Sequence, residues 1–119
     1  MTVNRVVPVF TTTDPDAARD FYALIGLVEV MDHGWVRSLA SESNPSAQIA
    51  LTTGDATAPV APDVSIEVQD VDAVHAACVA RGHRIVHPLT DEPWGVRRFF
   101  VEDPDGRVVN VLGHRRTDA

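Results

Sequence analysis

The sequence predicts an α+β fold built from two tandem strand–helix–three-strand (βαβββ) modules, and three observations carry that prediction. An apolar run leads into helix-start residues twice, from Val6–Phe10 into Asp14-Pro15 and from Val64–Val68 into Asp70. Sliding the chain over itself by 56 positions superposes Asp14 on Asp70, Asp16 on Asp72, Ala17 on Ala73 and Gly26 on Gly82. Each helix is then followed by three short strand candidates. A unit of about 55 residues is too small to bury its own sheet face, so two should pair, with curved mixed sheets around a cleft.

The elements follow in order. Val6, Val7, Val9 and Phe10 form a strand, Asp14 caps a helix, and Pro15 fits the first turn, where its missing N–H costs nothing. Ala18, Phe21 and Ile25 recur at helical spacing, and Gly26 closes the helix in the left-handed conformation. Three strands follow at Leu27–Met31, Val36–Ala40 and Gln48–Thr52, with turns at His33-Gly34 and Ser43-Asn44-Pro45. Thr53–Pro62, with Pro59 and Pro62, reads as the linker between copies.

In the second copy Val64, Ile66 and Val68 alternate with polar residues, as in a half-exposed strand. Val71, Val74 and Cys78 share one face of the helix that Asp70 caps and Gly82 ends. Strands at Arg84–Leu89, Arg97–Glu102 and Val108–Leu112 are separated by Glu92-Pro93-Trp94-Gly95 and Asp103-Pro104-Asp105-Gly106. The division is one domain over 1–119, with module one at 1–58 and module two at 59–119.

Composition narrows the function classes. At 119 residues, 45% hydrophobic and 23% charged, the chain can bury a core without staples. Its net charge is −7, and its ten basic residues include no run that would make a nucleic-acid stripe. The acidity mildly favours cationic ligands over anionic ones. No segment is apolar and long enough to cross a membrane, no signal-peptide pattern opens the sequence, and the lone Cys78 forms no internal disulfide. The expected compartment is the cytoplasm.

No nucleophile elbow, phosphate-binding loop or dinucleotide fingerprint is present. Cys78, on an apolar helix face, reads as core. The histidines His33, His75, His83, His87 and His114 read as solvated or hydrogen-bonded surface residues, with His114 closest to a strand end. Trp35 and Trp94 stand at comparable turns of the two copies, and each either covers a sheet end or stacks a planar ligand. Arg97 and Arg98 point to opposite faces, as do Phe99 and Phe100. One arginine should face solvent while the other meets Asp63 or a ligand carboxylate.

The stretches TTDPDAARDFYALIGL, SIEVQDVDAVHAACVARG and EPWGVRRFFVEDPDGRVVNVL resemble the vicinal oxygen chelate superfamily, which includes glyoxalases, extradiol dioxygenases and bleomycin resistance proteins. The resemblance runs from about Val6 to His114 and implies the glyoxalase/bleomycin-resistance fold. It also implies four strand positions for a divalent metal, falling here at Val7, Ala50, Asp63 and Asn110, with Gln48 as a neighbouring substitute. Val7 and Ala50 bring no donor, and one carboxylate with two amides is a poor divalent site.

The resemblance therefore points to a metal-independent small-molecule binding protein, with antibiotic sequestration as one form, and no cofactor is expected. Its ligand-binding residues would be Trp35, Trp94, Arg98, Phe100, Asp63 and Asn110. The alternative is a divalent-metal-dependent enzyme of glyoxalase or dioxygenase type, with Gln48, Asp63 and Asn110 as ligands. A third reading is an accessory dimer without a ligand. A homodimer is expected in each case, since the superfamily commonly builds its clefts by pairing modules between chains.

Overall fold

Two aspartates start the two helices by the same device. Asp14 accepts a hydrogen bond from the Ala17 N–H, and Asp70 accepts one from the Ala73 N–H, both at 3.1 Å. The computed structural model describes residues 1–114. In it the elements are β1 (Val3–Thr11), α1 (Pro15–Ile25), β2 (Leu27–Asp32), β3 (Val36–Ser41), β4 (Gln48–Thr52), β5 (Val64–Val68), α2 (Val71–Ala80), β6 (Ile85–Asp91), β7 (Val96–Glu102) and β8 (Val108–His114). The βαβββ order occurs twice, as the sequence predicts.

The chain divides into two compact units. One is Val6–Ala61, and the other takes Pro62 onward together with Met1–Arg5. The first unit's strands run β2-β3-β4-β1, with β1 parallel to β4 through Val9 opposite Ala50. In the second unit the order is β6-β7-β8-β5, with β5 parallel to β8 through Ser65 opposite Asn110. The other neighbours within each sheet are antiparallel. The start of the chain is tied to the second unit where the Gln69 N–H donates to the Thr2 carbonyl at 3.0 Å.

Each helix covers one face of its own sheet. In the first unit Ala18, Tyr22 and Leu27 pack on the buried Leu39, Ile49 and Leu51. Gly26 ends α1 at φ 113°, a left-handed turn that side chains resist. In the second unit Val68, Val71, Phe99, Val101 and Val111 form the core, with Val74 and Cys78 of α2 against it. Burial pushes the Cys78 thiol up from its ordinary value, which suits packing and opposes nucleophilic use.

Strand ends differ slightly from the sequence expectation. β6 begins at Ile85 and continues to Asp91, because Thr90 and Asp91 pair with Arg98 and Arg97 beyond a register shift. β8 continues to His114, which pairs with Val96, so His114 belongs to the sheet itself.

Candidate functional site

Side-chain parity on β7 divides the second module into two chemistries. Phe99 and Val101 face α2 and the core, while Arg98 and Phe100 face the other way. Register carries that second face across the sheet. Phe100 stands opposite both His87 and Asn110, Arg98 opposite Leu112, Ser65 opposite Asn110, and Glu67 opposite Leu112. One face is thus apolar and covered by a helix, and the other is polar and aromatic.

Its centre is a buried charge cluster. His87, Glu92 and Arg98 are 6%, 1% and 3% exposed. A guanidinium nitrogen of Arg98 donates to Glu92 Oε2 at 3.3 Å, and His87 Nε2 lies 3.4 Å from Glu92 Oε1. The guanidinium carbon also lies 5.0 Å from the Trp94 ring centroid and 4.8 Å from that of Phe100. Arg98 is therefore held between two aromatic faces, and Glu92 balances its charge. The His87 ring contacts Phe100 at 5.2 Å between centroids.

Glu92 also shapes the turn that carries Trp94. Its N–H donates to the Val96 carbonyl at 2.8 Å, and its own carbonyl accepts from Gly95 at 3.1 Å. Gly95 has φ 96°, the left-handed region in which a side chain would be strained. One residue thus fixes the backbone under Trp94 and the cation beside its ring.

Around this cluster, Asn110 is 7% exposed and donates through Nδ2 to Ser65 Oγ at 3.0 Å. Its Oδ1 has no hydrogen-bond partner among the described residues. Asp63 is exposed, and its Oδ2 accepts from the Val108 N–H at 2.8 Å, closing the edge where β5 meets β8.

The structure brings together Trp94, Arg98 and Phe100, with Asn110 beside Phe100. Arg97 and Arg98 do split between faces, and Arg97 bonds Asp72 and Asp91 near solvent. Two expectations are corrected. Arg98 meets Glu92, because the turn folds Glu92 back under β7 while Asp63 is occupied at the sheet edge. His87 is not a surface histidine, because β6 turns it inward opposite Phe100.

Trp35 and Gln48 belong to the first module. The Trp35 carbonyl accepts from the Thr52 hydroxyl at 3.0 Å, and Gln48 Nε2 donates to the Pro45 carbonyl at 2.9 Å. Glu92 and Glu67 were missed by sequence reading. The first sits in a turn motif and the second at a polar position of an alternating strand, and neither pattern signals burial.

Comparison with known proteins now adds the family. The family model of the Glyoxalase/Bleomycin resistance protein/Dioxygenase superfamily matches residues 2–111. The chain belongs to this superfamily. No curated protein matches it.

Solved structures of similar fold include a superfamily member from Vibrio splendidus 12B01, at TM-score 0.68 and 19% identity over 94% of this chain and 99% of that one. A structure described as the NAD-dependent benzaldehyde dehydrogenase from Legionella pneumophila has TM-score 0.72 and 17% identity, over 92% and 99% of the two chains. The Mn(II)-bound glyoxalase from Novosphingobium aromaticivorans has TM-score 0.68 and 21% identity, over 98% of this chain but 42% of that one. At such identities the likeness is one of fold.

The superfamily's metal can be tested against the donors present. Val7 and Ala50 carry none, the Asp63 carboxylate is engaged on a backbone N–H, and Asn110 offers an amide. Among the described residues no group of three or more His, Cys, Asp or Glu side chains is placed to hold a metal ion. The donor set does not fit a divalent cation.

Proposed function

We propose that the chain is a metal-independent small-molecule binding protein whose ligand is a planar, polycyclic or glycopeptide molecule that stacks at Trp94. Antibiotic sequestration is one form of that function. The supporting observation is the clamp of Arg98 between Trp94 and Phe100, tied down by Glu92. A ring fixed in advance loses little freedom when a ligand arrives, and this rigidity is what a stacking site needs. The cation beneath Trp94 is already neutralised, so the face selects by shape and π contact more than by charge. The reading includes a cytoplasmic homodimer with no cofactor.

Tryptophan fluorescence tests it. Titration of untagged protein with bleomycin and with a panel of polycyclic antibiotics should give saturable quenching by at least one compound. EDTA should leave that binding unchanged, and Trp94→Ala should weaken it roughly a hundredfold, the loss expected of an aromatic anchor. Stoichiometric Mn, Fe, Ni, Co or Zn in the untagged protein would overturn the reading in favour of a metal-dependent enzyme.

A further inference from the structure

The two helices agree where they face their sheets and differ where they face outward. At the 56-residue offset the inward positions Ala18 and Tyr22 of α1 correspond to Val74 and Cys78 of α2, and each pair packs on its own core. The outward positions Phe21, Leu24 and Ile25 correspond to Ala77, Ala80 and Arg81. Module two thus shows that such a helix needs no large apolar side chain at these places to fold. In α1 the three are nevertheless apolar and 56%, 87% and 65% exposed. Spaced three and four apart, they share one face of the helix.

β1 extends the patch. Val6, Pro8 and Phe10 are exposed and lie on one face of the strand. Phe10 stacks on Tyr22 at 6.1 Å between centroids, and Tyr22 and Phe21 meet edge to face at 5.2 Å. Strand and helix are therefore joined in one surface through Tyr22, within the unit Val6–Ala61. Such exposures leave on the order of 500 Å² of apolar surface, at the upper end of what a monomer carries. A stable protein pair buries roughly 800 Å² per partner, and in homodimers about two-thirds of that is apolar. The areas match.

We infer that a second copy of this chain docks here, with α1 and β1 of one protomer covering those of its partner. A two-fold pairing sets the same patch against itself, and an apolar surface is complementary to its own copy. The charges that border it are balanced, since Asp16 is paired with Arg19 and Arg37, and Asp20 with Arg19. Two chains of net charge −7 can therefore meet at this face without setting like charges together. A lipid surface would need uncommitted basic residues beside the patch, and Arg19 and Arg37 are both held by aspartates. This face rests on the homodimer of the proposed function and is independent of the ligand at Trp94.

Sedimentation velocity of the full chain across a dilution series tests it. The wild-type protein should show twice the 12.9 kDa chain mass at micromolar concentration. Phe21→Ala combined with Leu24→Ala gives α1 the outward residues that α2 already has, and alanine favours the helix, so the fold should persist. That double variant should raise the dimer dissociation constant roughly a hundredfold, as loss of central apolar anchors does. Leu24→Asp should be monomeric, and far-UV circular dichroism should be unchanged in both. Val79→Asp, at an exposed apolar position of α2, should remain dimeric. A wild-type monomer at the highest soluble concentration would overturn the homodimer and its face together. A dimer that both α1 variants leave intact, or that V79D disrupts equally, would overturn the face alone.

Discussion

Glu92 carries a charge in a place almost without water, and the cost of that position is met by its two neighbours. Arg98 and His87 both reach its carboxylate, and the guanidinium is covered by two aromatic rings. Removing one partner of such a pair leaves the other charge buried and uncompensated. Glu92→Ala should therefore destabilise the fold by about 3 kcal/mol in urea denaturation. Replacing Glu92 and Arg98 together by Leu and Met should cost less than Glu92→Ala alone, since no orphan charge remains. A double variant as damaged as the single one would show that the cluster's stability lies in packing. Sequence reading made Trp94, Arg98 and Phe100 candidate ligand-binding residues but took Glu92 for a turn residue and His87 for a surface histidine. Parity along a strand predicts which way a side chain points, yet burial depends on what lies across the sheet, and Glu-Pro-Trp-Gly carries turn chemistry that hides an inward carboxylate.

The elements themselves were legible because their signals are local. Asp14, Pro15 and Gly26 bound one helix and Asp70 and Gly82 the other by backbone chemistry that needs no tertiary context. Asp14→Ala and Asp70→Ala should each cost about 1 kcal/mol, read as a lower urea midpoint at unchanged slope. A second, less legible device braces each helix. Arg37 bonds Asp16 at 2.7 Å and approaches Asp32 at 3.8 Å, and Arg97 reaches Asp72 at 2.9 Å and Asp91 at 3.2 Å. Both arginines sit on the third strand of their module and link the helix start to the end of the preceding strand. Unequal turn lengths put them out of step with the 56-residue offset, so aligning the halves at one offset does not find them. The pairing with Arg37 holds Asp16 below the usual carboxylate range, and the Arg107 N–H, followed by that of Asp105, does the same for Asp103 in the turn before β8. A carboxylate with a lowered folded-state pKa contributes its full stabilisation above its unfolded value, near 3.9, and loses it as pH falls through the folded value. Stability should therefore decline below about pH 4, and Asp103→Asn should flatten that decline while lowering stability at neutral pH. An Asn variant with an unchanged acid limb would remove Asp103 from this role.

At the scale of the whole chain, duplication is what could be read from the residues and metal chemistry is what they argue against. Two βαβββ units recur with the same strand order and the same parallel pairing of first and last strands. Of the positions that the family resemblance marks for a metal, Val7, Ala50 and Asn110 lie on strands, while Asp63 precedes β5 and accepts from the Val108 N–H. A protein whose native state holds a metal tightly is stabilised by it through mass action, by about 4 kcal/mol at a thousandfold excess over Kd. For a domain of this size that would raise the melting temperature by well over ten degrees. On the metal-independent reading proposed above, a thermal melt in excess Mn²⁺, Ni²⁺ or Zn²⁺ should match one in EDTA to within about a degree. The exposed histidines His33 and His83 will bind Zn²⁺ and Ni²⁺ weakly in folded and unfolded chains alike, which leaves the midpoint where it was. A large upward shift with Mn²⁺, which prefers oxygen ligands, would show that the native state holds an ion and would overturn the metal-independent reading. The stacking role assigned to Trp94 would then give way to metal-centred chemistry.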